Sequence, residues 1–415
     1  MSQRHVIVIG GGAIGTSCAY YLAGSGWKVT LVDRDRQGQG CSSGNCGRIC
    51  NAHVLPLNHP GAVGQTLKAL CRRNSPLYVK LRFDPGLWGW LLQFARHCNE
   101  SAMYESARAR AALLDSSAAL YRRLLADESI ECEWQDRGCL YVYRTQSGMQ
   151  SYAATERILR EKFGVTATRY DGDELIEFEP ALKRGLAGGW HHEGDSDMRP
   201  EKLLASWREV LLRMGVTIIE GCTVQGFARD GSRALALNTD RGPMPADAAV
   251  VATGALAPRL ARELGCRIPI QPGKGYSMTM RHPAISPRVP IIFQEHKVMV
   301  TPMLSGYRLG STMEFSGYDE SLNRQRLELL KLGAAQYLHE PYTEPVEEEW
   351  YGWRPMTYDG KPIIDRSPRM ENVYIAAGHN MLGLTLAPVT GKLIAELLDA
   401  RPPHLDVAPF SVSRF

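Results

Sequence analysis

The chain of 415 residues has no apolar run approaching the ~18 residues that cross a bilayer. It has no block of consecutive Lys and Arg and no RNA-binding signature. Its net charge is only +4 and diffuse, which argues against a nucleic-acid-binding role. Its ten cysteines, among them Cys41, Cys46, Cys50, Cys132 and Cys139, form no paired C-x-x-C, so no metal site is expected. Disulfides are not expected in a reducing compartment. The first apolar run comes too early for a secretory leader and continues into glycines rather than a cleavage site. These absences read as a cytoplasmic protein, with peripheral contact on the inner face of a membrane left open. His191-His192 is the one tempting metal pair. Neighbours on a strand point to opposite faces, so two surface histidines are the simpler reading.

What is present is an ordinary globular composition, 44% hydrophobic and 22% charged, at a length that suggests about two domains. The chain is organised around its first thirty-three residues. Val6 to Ile9 reads as a buried parallel strand. Gly10-Gly11-Gly12-Ala13-Ile14-Gly15 fits G-x-G-x-x-G, and a helical pattern runs from Ala13 to Ser25 with Gly26 past its end. A second strand, Val29 to Val32, ends on Asp33. In a dinucleotide fold Gly10 turns tightly, Gly12 lets backbone approach a pyrophosphate, and Gly15 lets helix and strand pack closely. The helix N-terminus favours phosphate, and Asp33 suits ribose hydroxyls and disfavours a 2′-phosphate. Gly10, Gly12, Ala13, Ile14, Gly15, Asp33 and Arg34 are therefore candidate cofactor contacts.

Gln37 to Gly47 is a polar, glycine-rich loop leading to Arg48. Asn51 to Gly64 is a long irregular stretch with two histidines. Phe83 to Cys98 is strongly apolar: either a helix buried on one face, or an exposed patch for a membrane or a partner. Ser101 to Ala126 is a long amphipathic helix, Leu140 to Tyr143 a strand, Tyr152 to Phe163 a helix, and Asp173 to Pro180 an acidic connector. A helix from Arg199 to Met214 precedes a meander. Ala248 to Ala252 is a buried strand ending at Thr253-Gly254, small residues that suit another close approach to the cofactor. Strands are expected at Ile268–Gln271, Tyr276–Met280, Ile291–Phe293, Val298–Pro302 and Tyr307–Met313, which suggests a largely antiparallel sheet. Glu347 to Glu349 reads as a solvated charge run. Val373 to Ala376, a loop over Gly378 to Leu384 and a helix from Pro388 to Leu398 form a second strand–loop–helix unit. The expected division is a discontinuous cofactor domain (1–85, 195–265 and 346–415) and a second domain (86–194 and 266–345).

Several stretches together resemble the FAD-dependent D-amino-acid oxidase/dehydrogenase family, with glycine and sarcosine oxidases as relatives. They are VIVIGGGAIG with Asp33, SSGNCGRI, VVATGALAP, PGKGYSM, GWRPMTYDGKPIID and NVYIAAGHNMLGLT. The likeness is nearest to bacterial D-amino-acid dehydrogenases, including those acting on D-hydroxyproline. It implies an α/β plus α+β fold: a Rossmann-like FAD-binding domain of the GR2 type and a substrate domain on a mainly antiparallel sheet.

The resemblance implies FAD, with Gly10–Gly15 at its pyrophosphate and Asp33 at the adenosine ribose. Ser42, Ser43, Gly47, Arg48 and Ile49 should line the flavin. Gly378, His379, Asn380, Met381, Leu382, Gly383, Leu384 and Thr385 should embrace its pyrimidine end. Arg354 stands where the family places the arginine that grips the substrate carboxylate; a surface arginine is the alternative. Tyr276 and His379 stand as active-site neighbours, against a core tyrosine and a capping histidine. Sarcosine oxidases attach flavin to a cysteine seven residues before the Asp equivalent to Asp359. Gly352 is found there, so non-covalent FAD is expected. Where oxidases carry an oxygen-activating lysine before Leu-Gly, this chain has Arg308-Leu309-Gly310. The expected activity is oxidation of a D-amino acid, cyclic substrates such as D-proline or cis-4-hydroxy-D-proline included, by hydride transfer to flavin. The acceptor would be a quinone or another electron carrier. An oxygen-using glycine or sarcosine oxidase, and an FAD subunit of a heteromeric dehydrogenase, are the alternatives.

Overall fold

The computed structural model describes residues 3–70, 75–80 and 82–415. Of the expected first cofactor segment, residues 1–2, 71–74 and 81 therefore lie outside the described residues.

Four β-branched or leucine residues in a row need cover on both faces. The strand His5–Ile9 finds it at the centre of a six-stranded sheet. It is flanked in parallel by Lys28–Val32 and Ala248–Val251. Thr217–Ile219 extends one side, and Val373–Ala377 and the antiparallel Ile363–Arg366 the other. The helices Ala13–Gly24 and Ala387–Leu398 pack on one face, where Gly391 lets them meet: a Cβ there would lie 2.3 Å from the Ser17 hydroxyl. The meander is a separate three-stranded sheet, Val224–Asp230, Arg233–Thr239 and Gly242–Pro245.

A nine-stranded, mainly antiparallel sheet forms the second half. Its core is the long strand Ile270–Met280 between Glu348–Thr357 and Gly306–Phe315. Two strands expected separately, Ile268–Gln271 and Tyr276–Met280, are thus one. Pro272 is tolerated because its stretch is paired only with Glu348–Thr357; pairing with Gly306–Phe315 begins at Lys274. Leu77–Val79 also joins this sheet, and so do residues 348–357, although both fall in segments the sequence assigns to the cofactor domain.

Three local expectations are corrected. Asp173–Pro180 is not a mere connector: Gly172–Phe178 is helical and buries Leu175. His191 and His192 do point to opposite faces, yet both are buried, because Gly188–His192 is covered on each side. His191 Nε2 meets the Arg137 carbonyl at 2.8 Å and His192 Nε2 the Tyr152 hydroxyl at 2.6 Å. The Glu347–Glu349 run is paired rather than merely solvated, to Arg281, Arg308 and Arg324 in turn. Among the described residues no helix is long and apolar enough to cross a membrane.

Candidate active site

A cavity of about 2230 Å³ runs between the two large sheets. Ligand pockets usually hold ~300–1,000 Å³, so this one has room for a dinucleotide and a second molecule.

Its inner end is the glycine turn. Gly10, Gly12, Ala13, Ile14, Asp33 and Arg34 all line it. Gly10 has φ +103°, and a Cβ there would sit 2.6 Å from the Ala252 carbonyl oxygen. Gly15 does not reach the cavity; it lies against Gly10, where a Cβ would be 1.7 Å from the Gly10 oxygen. Its part is to let helix meet strand. Asp33 accepts from the Gly11 amide at 2.5 Å and the Asp35 amide at 2.9 Å. Burial raises its pKa, partly offset by those amides. The Ser42 hydroxyl accepts from the Ala13 amide at 3.0 Å. It therefore stands at the helix N-terminus, where a phosphate oxygen would be favoured.

Further along lie Ser42, Arg48, Thr253 and Gly254, while Ser43, Gly47 and Ile49 stand behind them. Gly47 is a backbone requirement: φ is +69°, and a Cβ would lie 1.9 Å from the Met198 oxygen. Ile49 pairs with Ser196 in a two-residue ladder. Arg48 is fully engaged: its guanidinium pairs with Asp195 and donates to the Tyr141 hydroxyl at 2.7 Å. Burial works against its charge, but Asp195, together with Cys139, Cys50 and Tyr141, raises its pKa overall. Neither partner was legible in sequence, since they lie 147 and 93 residues away.

The outer end carries Arg354, Tyr276, His379, Asn380, Met381, Gly383 and Leu384. Gly378, Leu382 and Thr385 back them without reaching the cavity. The loop is tied to the strand that bears Arg354. The Asn380 amide donates to the Pro355 carbonyl at 3.1 Å, and the Asn380 side chain accepts from the Thr357 amide at 3.0 Å. His379 contacts the Thr390 hydroxyl at 2.9 Å, and burial lowers its pKa to about 3. It is a neutral ring at physiological pH, held by the helix that follows its loop. Tyr276 donates to Glu314 at 3.1 Å; burial and that carboxylate push its pKa up, so it stays a phenol.

Arg354 is half-buried and has no carboxylate partner among the described residues. One N–H donates to the Thr312 carbonyl at 2.7 Å. The guanidinium lies flat over Gly275, where a Cβ would be 2.3 Å from Nη2. The Thr312 carbonyl is presented by a β-bulge in which Ser311 has φ +115° and Thr312 φ +55°. A β-branched residue there costs ~1–3 kcal/mol, and such strain gathers at functional sites. Sequence gave no sign of this bulge.

Arg308, at the oxidases' lysine position, does not line the cavity. It is buried, paired with Glu201 and Glu348, and donates to the carbonyls of Ser43 and Asn45 at 3.1 and 2.8 Å. It fastens the Ser42–Ile49 loop. Among the described residues no group of three His, Cys, Asp or Glu gathers as a metal site.

The sequence matches the model of the DAO family, FAD dependent oxidoreductase, over residues 5–397. The chain belongs to that family, and its cofactor is FAD. It is 34% identical over 420 residues to a D-amino acid dehydrogenase of Paramagnetospirillum magneticum, covering 99% of this chain and 98% of that one. It is 31% identical over 417 residues to the namesake of Xanthobacter autotrophicus, covering 99% of each. In fold it resembles glycine oxidase from Geobacillus kaustophilus, with a TM-score of 0.79 at 23% identity over 100% of both chains. L-proline dehydrogenase from P. horikoshii has the same fold, with a TM-score of 0.73 at 20% identity over 100% of this chain and 98% of that one.

The residues fit the cofactor. An acid stands beside the glycine turn, the turn excludes any side chain at Gly10, and the buried Thr253 hydroxyl in the cavity wall has no protein partner. Cys41, Cys46 and Cys50 also line the cavity, and burial raises all three thiols, those of Cys41 and Cys50 to about 11. They are thiols rather than reactive thiolates.

Proposed function

We propose that this chain is a dehydrogenase that oxidises D-amino acids, and that cyclic ones such as D-proline or cis-4-hydroxy-D-proline are among its substrates. The observation that carries the reading is Arg354, a cavity-lining guanidinium with no carboxylate among the described residues to neutralise it. In this reading the N-terminal turn, Asp33 and Arg34 hold the adenosine diphosphate half of FAD. Ser42–Ile49, Thr253, Gly254 and the loop 378–385 hold the flavin half. Arg354 grips the substrate carboxylate in two parallel hydrogen bonds, fixing position and register. FAD supplies a hydride acceptor. The protein supplies orientation: Thr312 holds Arg354, and Tyr276 closes the wall beside it. No side chain needs to move a proton for the hydride step if the amine enters neutral. An open-chain imine then hydrolyses to a keto acid, and a proline-like product stays a cyclic imine.

The acceptor in this reading is a quinone. Arg308 is committed to ion pairs, which favours a dehydrogenase over an oxygen-using glycine or sarcosine oxidase. An apolar rim supports contact with the inner face of a membrane. Leu57, Val63, Leu67, Trp88, Leu92 and Phe83, the last 97% exposed, stand out around helices 62–70 and 85–96, which flank the cavity. Binding of the purified protein to anionic vesicles tests that contact; equal partition with and without vesicles refutes it.

Anaerobic bleaching of the flavin by a panel of D- and L-amino acids is the test of the reaction. D-isomers should bleach it, and a short-chain quinone should restore the oxidised spectrum with little peroxide. Bleaching by L-isomers alone, or peroxide in step with turnover, refutes the reading. A single purified chain that bleaches also disposes of a heteromeric requirement.

A further inference from the structure

Arg110 lies midway along the helix Glu100–Asp127, in a stretch that reads from sequence as an ordinary amphipathic face. It is only 4% exposed, yet no carboxylate pairs with it among the described residues. Of the acids around it, Glu105 is taken by Lys361 and Asp359 by Arg414, while Asp115, five residues on, is exposed and makes no ion pair with it. One N–H of Arg110 donates to the His53 carbonyl at 2.6 Å, while Nε has no acceptor. Arg110 borders a small chamber of about 20 Å³, room for one water molecule. The chamber is also lined by Asn58, whose side-chain oxygen has no partner, and by Asn380, Met381 and Leu382.

An isolated buried cation is costly, and removing a partner from a buried ion pair ordinarily destabilises a fold. A chain that keeps one is arranged to meet negative charge from elsewhere. Arg110 stands one layer behind the cavity wall: His53 and Cys50 line the main cavity, and both feel its field. For His53, burial comes first and Arg110 second in driving its pKa well below the usual value.

We infer that Arg110 is a positioning residue for the cofactor, whose unneutralised guanidinium behind residues 380–382 favours forms of the flavin carrying negative charge on the pyrimidine edge. This rests on the proposed placement of that edge against the loop 378–385. Charge acts over this distance because the intervening protein screens it poorly. A water in the chamber would donate to Asn58 and accept from Arg110, completing the hydrogen bonds without cancelling the charge.

Two probes read this without any amino acid. Sulfite adds its sulfur lone pair to flavin N5 and leaves the negative charge on the N1–C2=O side, so its Kd reports positive potential there. Dithionite titration against a reference dye gives the two-electron potential. Arg110→Met in the holoenzyme should weaken sulfite binding about tenfold. It should lower the potential by about 30 mV, the equivalent of a tenfold change for two electrons. Arg110→Lys should stay within threefold of the parent. Asn58→Asp, which puts a carboxylate beside Arg110 and leaves the arginine in place, should weaken sulfite in the same direction. It keeps the inference testable should Arg110→Met fail to fold. If Arg110 only props up the His53 carbonyl, Arg110→Met lowers Tm and leaves sulfite Kd and potential within twofold of the parent. That result, or an unmoved Asn58→Asp, overturns the inference. Because neither probe uses substrate, a protein that ignores D-amino acids would sink the proposed reaction and leave this test intact.

Discussion

Gly275 is the most economical place to question the role of Arg354. All three atoms nearest to a Cβ at Gly275 belong to the Arg354 guanidinium, at 2.3–2.4 Å. Gly275 lies inside a strand, opposite Gly352, and has no positive φ, so alanine suits its backbone. Gly275→Ala therefore displaces the free end of one flexible side chain and little else, and should change stability by less than about 1 kcal/mol. The effect on catalysis is much larger. Hydrogen bonds to a charged partner contribute ~1.5–3 kcal/mol each. Losing register with the carboxylate should remove about 3 kcal/mol, roughly a hundredfold in kcat/KM, with most of it in KM. The assay is dye-coupled turnover on a D-amino acid, repeated in an Arg354→Leu background, where Gly275→Ala should add nothing. The reasoning fails if Gly275→Ala stays within threefold of the parent. It fails equally if the alanine costs the same with and without the arginine.

Two other expectations concern stability. Arg308→Met removes the cation shared by Glu201, Glu348 and the carbonyls of Ser43 and Asn45, while Glu201 keeps Arg199, and should cost about 2 kcal/mol in urea unfolding; a loss under 1 kcal/mol would count against the clamp. Burial lowers the pKa of His379 to about 3 and of His192 to about 4. The unfolded chain then takes up these protons first, so their stability contribution is complete above about pH 6.5 and is lost as pH falls toward those values. At pH 5 each should account for about 2 kcal/mol. Unfolding of His379→Gln should accordingly depend less on pH between 7 and 5 than the parent; an unchanged slope would refute the assignment.

The N-terminal unit was legible because everything it needs is local: strand, glycines, helix and acid within thirty-three residues. The strand and loop at Val373–Leu384 were legible for the same reason, whereas Arg354-Pro355 was singled out by the family resemblance rather than by any local pattern. What escaped was set by partners distant in sequence. Nothing near Arg48 announces Asp195 or Tyr141, and nothing near Arg110 announces that its helix turns it inward behind His53. His191 and His192 obeyed strand alternation, but alternation does not say that both faces are covered. The bulge at Ser311–Thr312 follows from the register against Ile270–Met280, a property of two strands together.

The order of strands in the six-stranded sheet has a consequence for synthesis. Residues 5–32 emerge first and supply a complete strand–helix–strand unit, but the other neighbour of His5–Ile9 is Ala248–Val251. At ~5–20 residues per second, that neighbour arrives roughly 10–40 s later. Throughout the interval the apolar run Val6–Ile9 presents an open strand edge, a template for pairing with the wrong chain. A nascent chain of this design depends on something covering that edge, and slow translation between residues 33 and 247 should favour aggregation over yield.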